Sequence, residues 1–140
     1  MDLAKYRALF LEEATEHLAE MSRALLVLEK TPDDGAAIDE VFRMAHSIKG
    51  MAASLEMDAI TELSHALEDV MDTFRTAGSV DGVEGVPLLF LALDALERMV
   101  GTVRETSGMP DPDPELVAKL TAALWDDDAP RAEGEPPKKA

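Results

Sequence analysis

The sequence contains no cysteine, which excludes disulfides and zinc–thiolate sites. Aromatic residues make up only 4% of the 140 residues, although 46% of all residues are hydrophobic. We therefore expect a core of Leu, Ala, Val and Met, and such a composition with abundant Glu favours helices. No apolar run approaches the ~18 residues of a membrane span, and the N-terminus has no cleavable signal pattern. We expect a cytoplasmic protein that does not enter a membrane.

Basic residues are also scarce, since 13 Lys and Arg stand against 29 Asp and Glu, a net charge of −16. Binding to nucleic acid needs clustered cations that neutralise phosphates, so nucleic acid is not an expected partner. The same balance disfavours an anionic membrane surface. An acidic, well-hydrated surface is the ordinary explanation of such a charge, and it assigns no function by itself.

Apolar residues recur at steps of three and four along the chain, without strand-like alternation. This pattern predicts helices at about 3–30, 35–55, 59–76, 86–106 and 114–125. The stripe of the first helix begins at Leu3 and Tyr6. The fourth helix is apolar on two sides, widened by Leu91, and should be covered by more than one neighbour.

Helix ends are marked by specific residues. Pro32 is expected at the first position of the second helix. Asp58 and Asp113 are expected to cap the third and fifth helices, and Gly78 should end the third. The loop before the fourth helix is punctuated by Gly82 among other glycines.

The predicted fold is all-α: an up-down four-helix bundle with an additional C-terminal fifth helix, over residues 1–125. Residues 126–140, "DDDAPRAEGEPPKKA", have almost no large apolar side chain and contain several prolines. We interpret this segment as a disordered acidic, Pro-rich linker.

The stretch "MAHSIKGM" inside the second predicted helix holds an unusual set of side chains. Residues at i, i+3 and i+4 share a helix face, so His46, Lys49 and Gly50 lie together on a flank of the core stripe. Glycine in a helix interior costs roughly 1 kcal/mol relative to alanine. We expect that access of a large partner to His46 compensates for this cost.

The third predicted helix offers a carboxylate to this histidine. The break between the second and third helices is short, so they should be antiparallel neighbours, with His46 and Glu68 at similar height. A carboxylate that accepts the Nδ1–H of an imidazole fixes the tautomer and leaves a lone pair on Nε2. That nitrogen is then a nucleophile for phosphorus, and Lys49 could offset charge on phosphoryl oxygens. Because the sequence has no nucleotide-binding motif, the phosphoryl group must come from another domain.

At this point the sequence is similar to a known family. "AHSIKGMAASLEM" followed by "LSHALEDVMD" resembles the histidine phosphotransfer (HPt) domain, in particular that at the N-terminus of CheA chemotaxis kinases. The family pattern H-x-x-K-G is met by His46, Lys49 and Gly50, and H-x-x-E is met by His65 and Glu68. H-x-x-K-G alone is a weak signal, but the two motifs together in an acidic all-α chain are specific.

The resemblance implies that His46 is the phosphoacceptor, Glu68 its Nδ1 partner, and Lys49 and His65 residues that tune reactivity. The phosphoryl group would pass from ATP to His46 through a separate kinase domain, and then to an aspartate of a response regulator. ATP and Mg would bind that kinase domain, so we expect no cofactor and no metal here. The domain would be monomeric and not an enzyme on its own, within a parent histidine protein kinase.

Three other interpretations stay open from sequence alone. One is a helical interaction bundle whose phosphorylation site has decayed. A di-iron bundle needs Glu-x-x-His on two helices, whereas Glu62 and His65 make one match without a second. A metal chelate by His46, His65 and Glu68 is the third, and the Lys49 cation would oppose it.

Overall fold

The computed structural model describes residues 2–80 and 85–124. Within these ranges the chain forms five helices and no strand, which confirms the all-α prediction. The helices are α1 Leu3–Lys30, α2 Gly35–Ser54, α3 Asp58–Ala77, α4 Gly85–Thr106 and α5 Pro114–Ala123. None of them is both long enough and apolar enough to span a membrane. The predicted linker 126–140 and the loop glycine Gly82 lie outside the described residues.

The first four helices close a ring. α1 packs against α2 and α4, α3 packs against the same two helices, and α5 lies on α3 and α4. Short connections make successive helices antiparallel, as in an up-down bundle. The interior holds mainly Leu, Ala, Val, Ile and Met, with Phe10 as a buried aromatic side chain. As expected from its two apolar sides, α4 is covered by three neighbours, which are α1, α3 and α5.

The start of α2 differs from the prediction. Pro32 lies in the turn before the helix, so its assignment to the first helical position is wrong. Asp34 is the N-cap instead, and its carboxylate accepts a hydrogen bond of 3.1 Å from the amide of Ala37. The carbonyl of Pro32 accepts a 2.9 Å bond from the amide of Val80, so this turn is fastened to the chain that leaves α3.

The predicted caps at the other helix ends were partly right. Asp58 is the first residue of α3 and not its cap, because Met57 takes the cap position without a side-chain hydrogen bond. In the first turn Asp58 still places a negative charge near the positive end of the helix dipole. Asp113 caps α5 by accepting a 3.1 Å bond from the amide of Leu116, as predicted.

Three apolar residues assigned to packing stripes are exposed: Leu3, Tyr6 and Leu91. The first two have a simple physical cause. α1 has 28 residues and α2 has 20, so α1 is about 42 Å long against about 30 Å. The first turns of α1 therefore project beyond the helix that packs beside them.

Two glycines allow a matched test of this description. Gly78 ends α3 with a φ of +83°, and a Cβ placed there meets no atom within 4 Å. Gly101 lies in the interior of α4 with equally open space around a Cβ. In urea unfolding, we expect Gly78→Ala to lower the free energy of unfolding by about 1–2 kcal/mol. Gly101→Ala should raise it by up to about 1 kcal/mol. Shifts of the same sign would contradict the assigned backbone conformations.

Candidate functional site

His46 lies at the edge of the α2–α3 contact. Ala45, one residue before it, and Ile48, two residues after it, are fully buried, and they fix which face of α2 meets the core. This rotation leaves His46 on the flank that borders α3, with 64% of its side chain exposed to solvent. The ring is therefore accessible to a partner molecule while it can still reach a side chain from α3.

Glu68 provides that side chain. It sits on α3 with only 10% of its side chain exposed, and its oxygen Oε2 contacts Nδ1 of His46. Its other oxygen, Oε1, accepts a hydrogen bond of 2.6 Å from Nζ of Lys49. Among residues 2–80 and 85–124, Glu68 is the only charged residue in the buried set. The contact between His46 and Glu68 that the helix geometry predicted is present.

The tautomer of His46 follows from this contact. An ionised carboxylate can only accept hydrogen bonds, so the nitrogen that faces it must carry the proton. Nδ1 therefore donates to Glu68, and in the neutral imidazole the lone pair is on Nε2. In that form Nε2 is the ring nitrogen without a proton, on a side chain that is largely exposed.

The ionised state of Glu68 is set by two opposing effects. Burial would raise the pKa of Glu68, because the carboxylate loses hydration. Hydrogen bonds from Lys49 and His46, together with the positive charge near them, outweigh burial and hold the pKa of Glu68 below its ordinary value. The carboxylate is thus charged at neutral pH and available to the imidazole.

Lys49 is only partly exposed to solvent. Only 27% of its side chain is in contact with solvent, and its ammonium group is paired with Glu68. His46 and Lys49 thus share one carboxylate, one donor on each oxygen. The positive charge stays close to the imidazole, whereas its expected role toward phosphoryl oxygens remains a prediction.

Gly50 follows one turn after His46 on the exposed surface of α2. A Cβ built on Gly50 meets no atom within 4 Å. Packing inside the domain therefore does not require glycine here. Its proposed role in giving a partner access to His46 stays a prediction.

His65 is not part of the same contact set. Its Nε2 lies 3.5 Å from Oδ2 of Asp69, four residues later on α3. Ligand atoms of His65, Glu68 and Asp69 lie within 4.8 Å of one another. Both oxygens of Glu68 already accept hydrogen bonds, from His46 and from Lys49, so we assign no metal to this group. The tuning role expected for His65 is still a prediction.

The groove around His46 also contains two residues to which sequence reasoning gave no role, Phe42 and Arg75. The groove is lined by Phe42, His46, Lys49, Glu68, Asp69, Asp72 and Arg75. Helical spacing could have identified both residues. Phe42 precedes His46 by four residues on α2, and Arg75 follows Glu68 by seven residues, or two turns, on α3.

Comparison with known proteins gives a clear family. The family model described as "Hpt domain" matches residues 5–106, and the chain belongs to this family. Over 103 residues the chain is 38% identical to chemotaxis protein CheA of Bacillus subtilis (strain 168). This alignment covers 74% of the chain and 15% of the relative, so the chain spans about 15% of the length of that curated relative.

Solved structures show the same helical fold. The phosphorylated P1 domain of CheA3 in complex with CheY6 from R. sphaeroides matches with a TM-score of 0.77 at 26% identity. That match covers 86% of this chain and 95% of the other. The CheA phosphotransferase domain from Thermotoga maritima has a TM-score of 0.68 at 30% identity, covering 75% of this chain and 99% of the other. The predicted bundle with its fifth helix is confirmed.

The low pKa of Glu68 predicts how stability depends on pH. A carboxylate whose pKa is lower in the folded state stabilises the fold above its unfolded pKa of about 4.3, and this contribution is lost as pH falls through the folded value. In urea unfolding at neutral pH, we expect Glu68→Gln to lower the free energy of unfolding by about 1–3 kcal/mol.

The difference between Glu68→Gln and the wild type should shrink as the pH falls below about 4. Glu97→Gln, an exposed change on α4, serves as the control and should alter stability little at any pH. If the difference in free energy of unfolding between Glu68→Gln and the wild type stays the same down to the lowest pH measured, the pKa of Glu68 is not lowered.

Proposed function

We propose that this chain is the histidine phosphotransfer domain of a CheA-like chemotaxis kinase and acts in cytoplasmic two-component signalling. The observation that carries the proposal is the exposed imidazole of His46, whose Nδ1 is held by the buried carboxylate of Glu68. Membership of the Hpt domain family and similarity to CheA proteins support it. His46 is the phosphoacceptor in this proposal.

The first step is attack by Nε2 of His46 on the γ-phosphorus of ATP. The Nε2–P bond forms, the bond from phosphorus to the leaving oxygen breaks, and ADP departs. The ring becomes positively charged because Nδ1 keeps its proton, and the Glu68 carboxylate beside it stabilises that charge. Lys49, whose ammonium group is paired with Glu68, is the residue that we expect to offset charge on the phosphoryl oxygens.

The second step passes the phosphoryl group to an aspartate of a response regulator. A carboxylate oxygen attacks phosphorus, the Nε2–P bond breaks, and the ring nitrogen regains its lone pair. Nδ1 keeps its proton, which Glu68 accepts as a hydrogen bond, throughout both steps, so the domain returns to its starting state. The similar P1 domain whose structure is a complex with CheY6 supports a receiver domain as partner.

The other partner is an ATP-binding kinase domain on the same or a partner chain. ATP and Mg bind there, since this sequence carries no nucleotide-binding motif. The domain is monomeric in this proposal, and it is not an enzyme without the kinase domain. His65, which lies on α3 one turn before Glu68, tunes the reactivity of His46.

Phosphorylation by the kinase core tests the proposal directly. The domain is mixed with radiolabelled ATP and a kinase core from the same source that has been shown to be active on another substrate. We expect acid-labile, base-stable label on the wild type and none on His46→Gln, which should keep its helix content. Label that persists on His46→Gln would move the site to another histidine. Absence of label on the wild type would favour a bundle whose phosphorylation site has decayed.

Gly50 provides a separate test of partner access. Gly50→Gln should leave the free energy of unfolding equal or higher, because the site is open and glutamine favours helices. Transfer from the kinase core should slow by about tenfold or more, which corresponds to at least about 1.4 kcal/mol in the barrier.

The control is Gly101→Gln on α4, a helix that borders α1, α3 and α5 and not the His46 flank of α2. It should gain similar stability and transfer at the wild-type rate. If Gly50→Gln also reacts at the wild-type rate, partner access is not the reason for glycine at this position.

A further inference from the structure

Phe42 lies against the imidazole of His46. It precedes His46 by one turn of α2, and the two ring centroids are 6.4 Å apart with planes inclined by only 9°. Parallel arrangements at this separation are within the range of favourable ring pairs. Because His46 is largely exposed, packing into the core does not fix its ring. The aromatic neighbour therefore restricts the plane of the imidazole.

Arg75 in turn holds Phe42. The guanidinium carbon of Arg75 lies 3.9 Å from the centroid of the Phe42 ring, well inside the distance for a cation–π contact. Phe42 is on α2 and Arg75 is on α3, so this contact joins the two helices across the groove that contains His46. A planar guanidinium covers an aromatic face better than an ammonium group does.

The position of Arg75 is itself set by two carboxylates from two helices. Nη2 of Arg75 lies 2.7 Å from Oδ1 of Asp72 on α3, and Nη1 lies 3.6 Å from Oδ1 of Asp39 on α2. Asp39 also pairs with Arg43 at 3.0 Å. With 44% of its side chain exposed, Arg75 contributes little to the core. Its contacts instead define an ordered surface next to His46.

We infer that Arg75 is a positioning residue that acts through Phe42 on the orientation of the His46 ring. The inference rests on the phosphotransfer function proposed above and adds a residue to it. Glu68 fixes one atom of the imidazole, Nδ1, but one hydrogen bond leaves the ring free to tilt. The face of Phe42 fixes the plane, and Arg75 keeps Phe42 in place. Together these contacts direct Nε2 outward from the groove.

The test uses Arg75→Met and Phe42→Leu, with Arg98→Met as the matched control. Arg98 is an exposed arginine paired with Asp94 on α4. Methionine keeps an unbranched side chain but has neither the charge nor the planar guanidinium group of Arg75. Because Arg75 is partly exposed, we expect Arg75→Met to fold. Phe42→Leu keeps an apolar side chain but removes the flat face. Urea unfolding of each variant verifies that the fold is retained.

Two readouts separate positioning from a purely structural role. The first is the orientation of the His46 ring, measured by NMR from Overhauser effects between its ring protons and its own β-protons. The second is the initial rate of phosphorylation by phosphoramidate, which is too small to need a docking surface. In that reaction the Nε2–P bond forms, the P–N bond of phosphoramidate breaks, and ammonia leaves.

We expect the wild type and Arg98→Met to show one fixed orientation of the His46 ring and equal rates with phosphoramidate. Arg75→Met and Phe42→Leu should show averaged ring orientations and react about tenfold more slowly. Unchanged ring orientation and unchanged rate in both variants would overturn the inference and leave the proposed function intact. A rate that falls with the kinase core but not with phosphoramidate would also overturn it, since Arg75 would then act in docking. If the wild type accepts phosphoryl from neither donor, the proposed function fails, and the measured orientation of the His46 ring still decides the positioning.

Discussion

The site depends on one buried carboxylate. Glu68 is held in the α2–α3 contact with its two oxygens engaged by Nδ1 of His46 and Nζ of Lys49. A charge in this position is tolerated because two donors replace the lost hydration, and removing either partner would leave the carboxylate under-satisfied. The same contact fixes the tautomer of His46. The pairing of Lys49 and the tautomer of His46 therefore both depend on a single side chain.

The bundle makes this contact possible by fixing helix rotation and register. Ala45 and Ile48 on α2, like Leu67 on α3, are buried, so the residues beside them are directed to the border between the two helices. The short connection between α2 and α3 leaves little freedom to shift one helix along the other. Phe42 on α2 and Arg75 on α3 contact each other across the groove beside His46, which adds another contact between the two helices. The surface of α2 around Gly50, one turn after His46, is open.

Much of this arrangement could be predicted from the sequence, because it follows from the helical periodicity of the apolar residues. The five helices, the exposed flank of His46 and its pairing with Glu68 were predictable from spacing alone. The starts of α2 and α3 were not, because Pro32 lies in a turn that is held by a long-range hydrogen bond from Val80, and Met57 takes the cap position of α3 without a side-chain hydrogen bond. The pairing of Lys49 with Glu68 was not predicted, because spacing does not show which carboxylate a flexible side chain reaches.

The central claim is that the hydrogen bond to Glu68 keeps the proton on Nδ1 of His46, so that Nε2 is the atom that reacts with phosphorus. Phosphorus–nitrogen correlation NMR on the nitrogen-15-labelled, phosphorylated domain tests it most directly, because the coupling identifies the bonded nitrogen. The account predicts one phosphorus signal coupled to Nε2 of His46. A signal coupled to Nδ1, or to a nitrogen of His17 or His65, would contradict it.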